Sequence, residues 1–142
     1  MAASADSGIF QEKLHRYLCS QLIPRYVGVE VQEQRHYEHI GELIEYANSV
    51  GTSVLGSRGY KYGVAQKLLN LALKYYWCLG EIAEPPHCPV DRVVIDETRY
   101  KGKINWTEIE QKSEYQMIIE EIKRQAGTQS VAMWELCVYN RR

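Results

Sequence analysis

Several features are missing from this chain, and each absence narrows the class of protein. No apolar run reaches the roughly 18 residues that a membrane helix needs, since Lys74 interrupts the best one, residues 68–79. The first ten residues lack the basic start and apolar core of a secretory signal peptide. We therefore expect a protein without membrane contact, located in the cytoplasm.

The four cysteines also lack any pairing pattern. They include no C-x-x-C motif and have no histidine at zinc-finger spacing; they are Cys19, Cys78, Cys88 and Cys137. In the cytosol such residues are typically reduced core thiols, and their spacing excludes a four-cysteine iron–sulfur cluster. His36 and His39 lie three positions apart on a predicted helix, but no third ligand is evident nearby. The sequence thus predicts no metal site and no cofactor.

An excess of charge is absent as well. The net charge is −1, so nothing attracts nucleic acid to the molecule as a whole. Residues 51–80, however, contain no Asp or Glu and hold four basic residues, Arg58, Lys61, Lys67 and Lys74. We call this segment the basic island, and it predicts a local surface for an anion.

Length and periodicity predict one helical domain that covers residues 1–142. A chain of 142 residues buries about two thirds of the surface that it exposes when unfolded. Residues 1–7 are expected to be frayed. Apolar spacing and helix start and stop signals predict helices near residues 9–23, 32–48, 64–79, 89–95, 105–126 and 130–140. Short connections between five or six helices indicate a compact all-α bundle.

Local signals predict how several of these helices begin. Val64 to Leu79 is apolar nearly all round, which is typical of a helix at the centre of a fold. Pro89 suits the first position of the next helix, with Cys88 as its cap. Further on, Thr107 and Glu110 fit a capping box.

The residues between Tyr60 and Ala65 predict an anion-binding hairpin. Three glycines, Gly56, Gly59 and Gly63, break the chain before the central helix and allow positive φ or close backbone approach. The start of a helix offers free N–H groups and a partial positive charge, which together bind phosphate. Arg58 and Lys61 would add charge.

Lys67 and Asp91 have the residue types needed to cleave an N-glycosidic bond. Lys67 lies near the positive end of an apolar helix, where the ammonium form is disfavoured. A neutral amine is a nucleophile that can form a Schiff base with a sugar aldehyde. Asp91, near the start of its own helix, can stabilise an oxocarbenium-like sugar or help to deprotonate the lysine.

These motifs resemble those of a known family. GVAQK, residues 63–67, is similar to the Gly-Val-Gly-x-Lys of helix-hairpin-helix DNA glycosylases, and CPVDRVVI, residues 88–95, is similar to their Pro-Val-Asp segment. Residues 115–122, followed by Gly127 and Ala-Met-Trp-Glu-Leu, look like the closing helices of 8-oxoguanine DNA glycosylases. The resemblance covers about residues 55–140.

The resemblance implies a helix-hairpin-helix protein that binds DNA and flips a damaged base out of the duplex. It implies that Lys67 is the nucleophile and Asp91 the catalytic carboxylate. The DNA backbone would meet the hairpin residues Arg58, Gly59, Lys61, Gly63 and Ala65. The chain departs from the pattern at Ala65, where the family has its second hairpin glycine, and in its 91 − 67 = 24 positions between lysine and aspartate.

Two other interpretations are compatible with the same residues. One is a non-catalytic helical module that binds nucleic acid or a protein partner. The other is a purely structural domain in which the glycines only shape a turn. Lys67 would then extend from a buried helix to solvent, and Asp91 would pair with Arg92 or Arg99. The sequence indicates neither an oligomeric state nor which damaged base would be recognised.

Overall fold

The computed structural model describes residues 4–140, and all regular elements of this part of the chain are helical. The α-helices are α1 (Ser4–Tyr17), α2 (Glu33–Val50), α3 (Tyr62–Cys78), α4 (Arg92–Ile95), α5 (Lys112–Ala126) and α6 (Val131–Asn140). This confirms the predicted all-α fold. Residues 1–3 of the segment expected to be frayed lie outside the described residues, and α1 begins already at Ser4.

The chain after α1 stays helical but changes its winding. It passes through a π-helical turn, Leu18–Leu22, and a 3-10 turn, Ile23–Tyr26. Pro24 lies at the start of the 3-10 turn, and its missing N–H cannot continue an α-helical bond pattern. The predicted end near Ile23 is therefore close, although the last part is not α-helix.

The start of α4 differs from the prediction. Asp91, not Cys88, is the N-cap, and its Oδ1 accepts a hydrogen bond of 3.1 Å from the Val94 N–H. The predicted cap at Cys88 and first position at Pro89 are therefore wrong. An aspartate carboxylate is a much better N-cap than a thiol because it accepts a strong hydrogen bond from a free N–H.

The start of α5 also differs. Asn105 caps only a three-residue 3-10 turn, Trp106–Glu108, and the predicted box of Thr107 and Glu110 does not form. The capping box instead joins Gln111 and Glu114, one helical turn later. The residues between the two starts run past the beginning of α3, where the Ile109 carbonyl accepts a bond from that helix.

Helix α3 packs at the centre of the fold against α2, α5 and the 3-10 turn Trp106–Glu108. Its buried side includes Leu69 and Leu73, which belong to one continuous hydrophobic core. The prediction that α3 is buried nearly all round is wrong at its end, where Tyr75 is 63% and Leu79 74% exposed. Among residues 4–140, no helix is both long and apolar enough to cross a membrane.

The cysteines are free and do not share one environment. Cys88 is buried, whereas Cys78 is exposed at the end of α3, and Cys19 and Cys137 are partly exposed. The description as core thiols is therefore correct for Cys88 alone. Burial raises the pKa of the Cys88 thiol well above its ordinary value.

A chain of hydrogen bonds between polar side chains crosses the core, and we call it the buried polar chain. The Tyr26 hydroxyl contacts Nδ1 of both His36 and His39 at 2.7 Å. His36 Nε2 lies 2.8 Å from Asn70 Oδ1, and Asn70 Nδ2 donates to the Tyr115 hydroxyl at 3.0 Å.

The chain continues from Tyr115 to the protein surface. The Tyr115 hydroxyl lies 2.6 Å from His87 Nδ1, and His87 Nε2 lies 2.8 Å from Glu33 Oε2. Lys123 also donates to the carboxylate of Glu33, at Oε1. The buried polar chain thus joins α2, α3, α5 and the loop before α4 through groups that are hydrogen-bonded throughout.

The direction of these hydrogen bonds follows from one backbone group. The Val90 N–H can only donate, so the atom of Gln66 that faces it is the acceptor Oε1. Asn70 must then turn its Nδ2 toward the same oxygen, which leaves its Oδ1 for His36. The neutral His36 ring therefore carries its proton on Nε2 and accepts at Nδ1 from the Tyr26 hydroxyl.

Candidate functional site

Gln66 positions the two residues singled out by the sequence. Its Nε2 donates to the Val90 carbonyl at 2.6 Å, and its Oε1 accepts from the Val90 N–H at 3.1 Å. This pair of bonds ties α3 to the segment just before α4. Because Lys67 follows Gln66 and Asp91 follows Val90, the same clamp brings the lysine to the aspartate.

Lys67 and Asp91 form a direct ion pair, with 2.6 Å between Nζ and Oδ2. The side chains are 24% and 11% exposed, so the pair lies at the edge of the core with access to solvent. Tyr139 of α6 donates its hydroxyl to the same carboxylate oxygen at 2.7 Å. Asp91 is therefore held by three donors, the third being the Val94 N–H.

These donors keep Asp91 ionised. Burial alone would raise the pKa of Asp91, but the hydrogen bonds from Lys67, Tyr139 and the Val94 N–H outweigh burial and place that pKa below its ordinary value. Asp91 is thus a stable negative charge. The Lys67 nitrogen lies within hydrogen-bond distance of this charge.

A second ion pair lies beside the first. Lys74, two helical turns after Lys67 on α3, donates to Glu135 of α6 at 2.8 Å. Its ammonium lies 4.2 Å from the centre of the Tyr139 ring. Burial raises the pKa of Glu135 despite the lysine, because that side chain is almost fully enclosed. The two pairs share Tyr139 as a common neighbour.

Three residues of this site were not predicted: Trp106, Glu135 and Tyr139. The Lys67 ammonium lies 5.6 Å from the centre of the Trp106 ring. A signal for two of them is present, since Lys67 and Lys74 are seven apart and Glu135 and Tyr139 are four apart. Each spacing puts both members on one helix face, so the two faces can pair.

The predicted hairpin does not present free N–H groups at Gly63 and Ala65. The Gly63 N–H donates to the Ile109 carbonyl at 3.0 Å, and the Ala65 N–H donates to the Lys61 carbonyl at 3.0 Å. Both residues are buried. A Cβ at Gly63 would lie only 1.9 Å from the Trp106 carbonyl oxygen. The glycine is thus needed for close backbone packing within the protein, not for approach to a ligand.

Gly59 has a structural role that also accounts for its residue type. Its φ of +72° lies in the left-handed region, and a Cβ would lie 2.6 Å from Asn48 Oδ1. That oxygen accepts the Tyr60 N–H at 2.8 Å. The turn before α3 is therefore fastened to the end of α2 by Asn48.

The basic island is not an unpaired cationic patch, which corrects the expectation from sequence. Each of its four basic residues meets a carboxylate from the second half of the chain. The contacts are Arg58 with Glu110 at 3.3 Å, Lys61 with Glu108 at 2.9 Å, Lys67 with Asp91 at 2.6 Å and Lys74 with Glu135 at 2.8 Å. Basic and acidic residues that lie far apart in the sequence are thus paired in the folded protein.

The site as a whole combines an amine, a fixed carboxylate and two aromatic rings at a partly exposed position. An amine with some solvent access can reach a carbonyl or sugar carbon, and a carboxylate held by three donors can stabilise positive charge that develops beside it. Comparisons with protein-family models, with curated proteins and with solved structures find no match to this chain.

Proposed function

We propose that this protein binds DNA and acts as a base-excision glycosylase/lyase of the helix-hairpin-helix type, with Lys67 as nucleophile and Asp91 as its electrostatic partner. The observation that carries the proposal is their 2.6 Å contact at a partly exposed position. Lysine and aspartate come from two different segments, and a dedicated clamp at Gln66 holds those segments together.

The chemistry begins with loss of a proton from Lys67, for which Asp91 is the nearest acceptor. At an abasic site the Nζ lone pair adds to the aldehyde carbon C1′, and water leaves to give an iminium ion. At a damaged base Nζ bonds to C1′ while the C1′–N bond breaks, and the base departs with the electron pair and takes up a proton. Asp91 passes the proton that it received from Lys67 to the departing base or water, and its restored carboxylate then stabilises the positive charge on the sugar.

Arg58 and Lys61 are proposed to contact the DNA backbone. Arg58 is exposed in its pair with Glu110, and Glu108, the partner of Lys61, is exposed as well, so both ion pairs contribute little to stability. A phosphate can replace either carboxylate at small cost. Gly59 lies in the loop between α2 and α3, whereas Gly63 and Ala65 lie in the first turn of α3, where Gly63 packs against the Trp106 segment.

Reductive trapping tests the proposal. Borohydride reduces the iminium ion to a stable amine, so incubation with a duplex that carries an abasic site or 8-oxoguanine should give a covalent protein–DNA adduct. We expect Lys67→Met to abolish the adduct and the exposed Lys13→Met on α1 to retain it. An equal yield of adduct from both variants, or no adduct with either DNA, would rule out Lys67 as the nucleophile.

The second candidate is a binding module without catalysis. The observation that favours it is again the ion pair, because an ammonium held by a carboxylate must first lose its proton. Under this alternative, Lys67→Met leaves DNA affinity almost unchanged and no variant gives an adduct. Equilibrium binding measured beside trapping separates the two candidates.

A further inference from the structure

A cavity of about 510 Å³ lies next to the proposed active centre. Arg92 and Asp96 of the α4 region form one part of its wall, and Lys103, Asn105, Trp106 and Thr107 form another. Its volume falls within the range of roughly 300–1,000 Å³ that is usual for small-ligand sites. Trp106, which lines this cavity, has its ring centre 5.6 Å from the Lys67 nitrogen, and Arg92 directly follows Asp91.

The cations of this cavity differ from those of the basic island. Across residues 4–140, Arg92 and Lys103 take part in no ion pair, although both are exposed, whereas all four basic residues of the island are paired. Asp96 is the acidic residue of the wall and forms no contact with Arg92 within ion-pair distance. The wall therefore carries a net positive charge that the protein itself does not neutralise.

The remaining groups of the wall suit a flat, polar ring. Trp106 offers an aromatic surface, and its position is fixed by the 3-10 turn that Asn105 caps. Asn105 Oδ1 accepts both the N–H and the hydroxyl of Thr107, so its amide Nδ2 stays available as a donor. Unpaired cations beside an aromatic ring and a free amide donor match a phosphate joined to a nucleobase.

We propose that this cavity is a nucleotide site, in which Arg92 and Lys103 hold a phosphate and Trp106 stacks on a base. The inference deepens the proposed function and rests on it for the source of the nucleotide, a strand of DNA next to the reacting sugar. A free mononucleotide has the same chemistry, and the test separates the two sources.

Binding is measured for thymidine 5′-monophosphate and for a short oligothymidylate, with the Lys67→Met protein as the background so that no covalent step contributes. We expect Arg92→Gln and Lys103→Gln each to weaken binding of the oligonucleotide about tenfold, as loss of one charged hydrogen bond predicts. Lys101→Gln is the matched control, since Lys101 is exposed two positions away and does not line the cavity.

The indole N–H signal of Trp106 gives an independent readout. It is identified among the three tryptophans as the signal missing from Trp106→Phe, and we expect the oligonucleotide to shift it. If the Trp106 signal shifts and the Arg92 and Lys103 variants lose affinity only with the oligonucleotide, the site binds a DNA strand. If the monophosphate gives the same effects, the site also binds free nucleotides. Equal binding by the Arg92, Lys103 and Lys101 variants would overturn the inference.

These outcomes are separate from those of trapping. The nucleotide site survives if wild-type protein gives no covalent adduct but loses affinity through Arg92→Gln and Lys103→Gln. Conversely, if both cavity variants form the adduct with normal yield, the result supports Lys67 as the nucleophile and shows that the cavity does not contribute to DNA binding.

Discussion

Gly63 shows how a single missing side chain fixes the geometry of the site. Its backbone lies against the Trp106 carbonyl, and an added Cβ would approach that oxygen to 1.9 Å. We expect Gly63→Ala to destabilise the fold by about 1–3 kcal/mol, because a backbone segment has to move to make room. Urea unfolding measures the loss.

Gly41 supplies the control for this substitution. It lies within α2, and a Cβ there would meet nothing within 4 Å. We expect Gly41→Ala to stabilise the protein by roughly 0.5–1 kcal/mol, since alanine has the higher helix propensity. A Gly63→Ala protein as stable as Gly41→Ala would contradict the close packing of α3 on the Trp106 segment.

Asp91 combines two roles that one substitution can separate. Asparagine keeps a side-chain oxygen for the Val94 N–H and so preserves the cap of α4, but it removes the negative charge beside Lys67. We expect Asp91→Asn to remain folded while the rate of adduct formation in borohydride trapping falls at least about tenfold. Asp6→Asn on α1, an exposed position, should trap at the wild-type rate. An unchanged rate in Asp91→Asn would remove the carboxylate from the chemistry.

At the scale of elements, the buried polar chain joins helices through histidines that stay neutral. Burial lowers the pKa of His36 well below its ordinary value, and burial also lowers the pKa of His39 and His87. Below about pH 6.5 these histidines therefore bind protons in the unfolded chain but not in the folded chain. Glu33 has a lowered pKa, for which the His87 hydrogen bond is the main cause, and it loses its contribution only at more acidic pH.

The neutral histidines therefore make their full contribution to the free energy of unfolding above about pH 7, and this contribution falls as the pH drops through 6.5. Each neutral buried histidine contributes up to about 1.4 kcal/mol per pH unit to this slope. Urea unfolding between pH 8 and pH 5 measures this slope. Glu33 and Lys123, the charged groups at the surface end of the buried polar chain, keep their charges over this range. His36→Gln should reduce the slope and the exposed His15→Gln should not. A flat profile would mean that these rings are protonated in the fold.

The elements also show what could be predicted from sequence. Helices α2, α3, α5 and α6 follow from apolar spacing because their buried faces repeat at 3.6 residues. The caps of α4 and α5 did not follow, because Asp91 and Gln111 compete with other plausible caps nearby, and tertiary contacts of the Trp106–Ile109 segment decide between them.

The site was predictable in part, for a similar reason. The meeting of Lys67 and Asp91 was expected, but the clamp at Gln66 was not, since a buried glutamine has no distinctive pattern in a sequence. The neutralisation of the basic island was also missed. Local composition reports charge along the chain, whereas the pairing of Arg58 and Lys61 depends on residues that are 47 to 52 positions away.

For the whole molecule, this pairing means that acidic residues of the protein compete with phosphate for Arg58 and Lys61. We expect a double variant, Glu108→Gln with Glu110→Gln, to bind DNA more tightly and to steepen the slope of log K against log salt by up to about 2, as two additional phosphate contacts predict. Fluorescence anisotropy over a series of salt concentrations measures both quantities.

The control for this experiment changes the net charge equally at other places. Glu12→Gln with Glu45→Gln removes two exposed carboxylates from α1 and α2 that pair with neither Arg58 nor Lys61. If this pair increases affinity and salt dependence as much as the first, the effect is one of overall charge, and Arg58 and Lys61 have no particular role.

The contribution of α6 has a consequence for the order in which the protein matures. Tyr139 and Glu135 come from α6, whereas Asp91 and Lys74, to which they are hydrogen-bonded, come earlier in the chain. During translation, Lys74 and Asp91 are synthesised well before these partners. A nascent chain therefore lacks the Tyr139 hydrogen bond to Asp91 and the Glu135 partner of Lys74 until α6 has been synthesised.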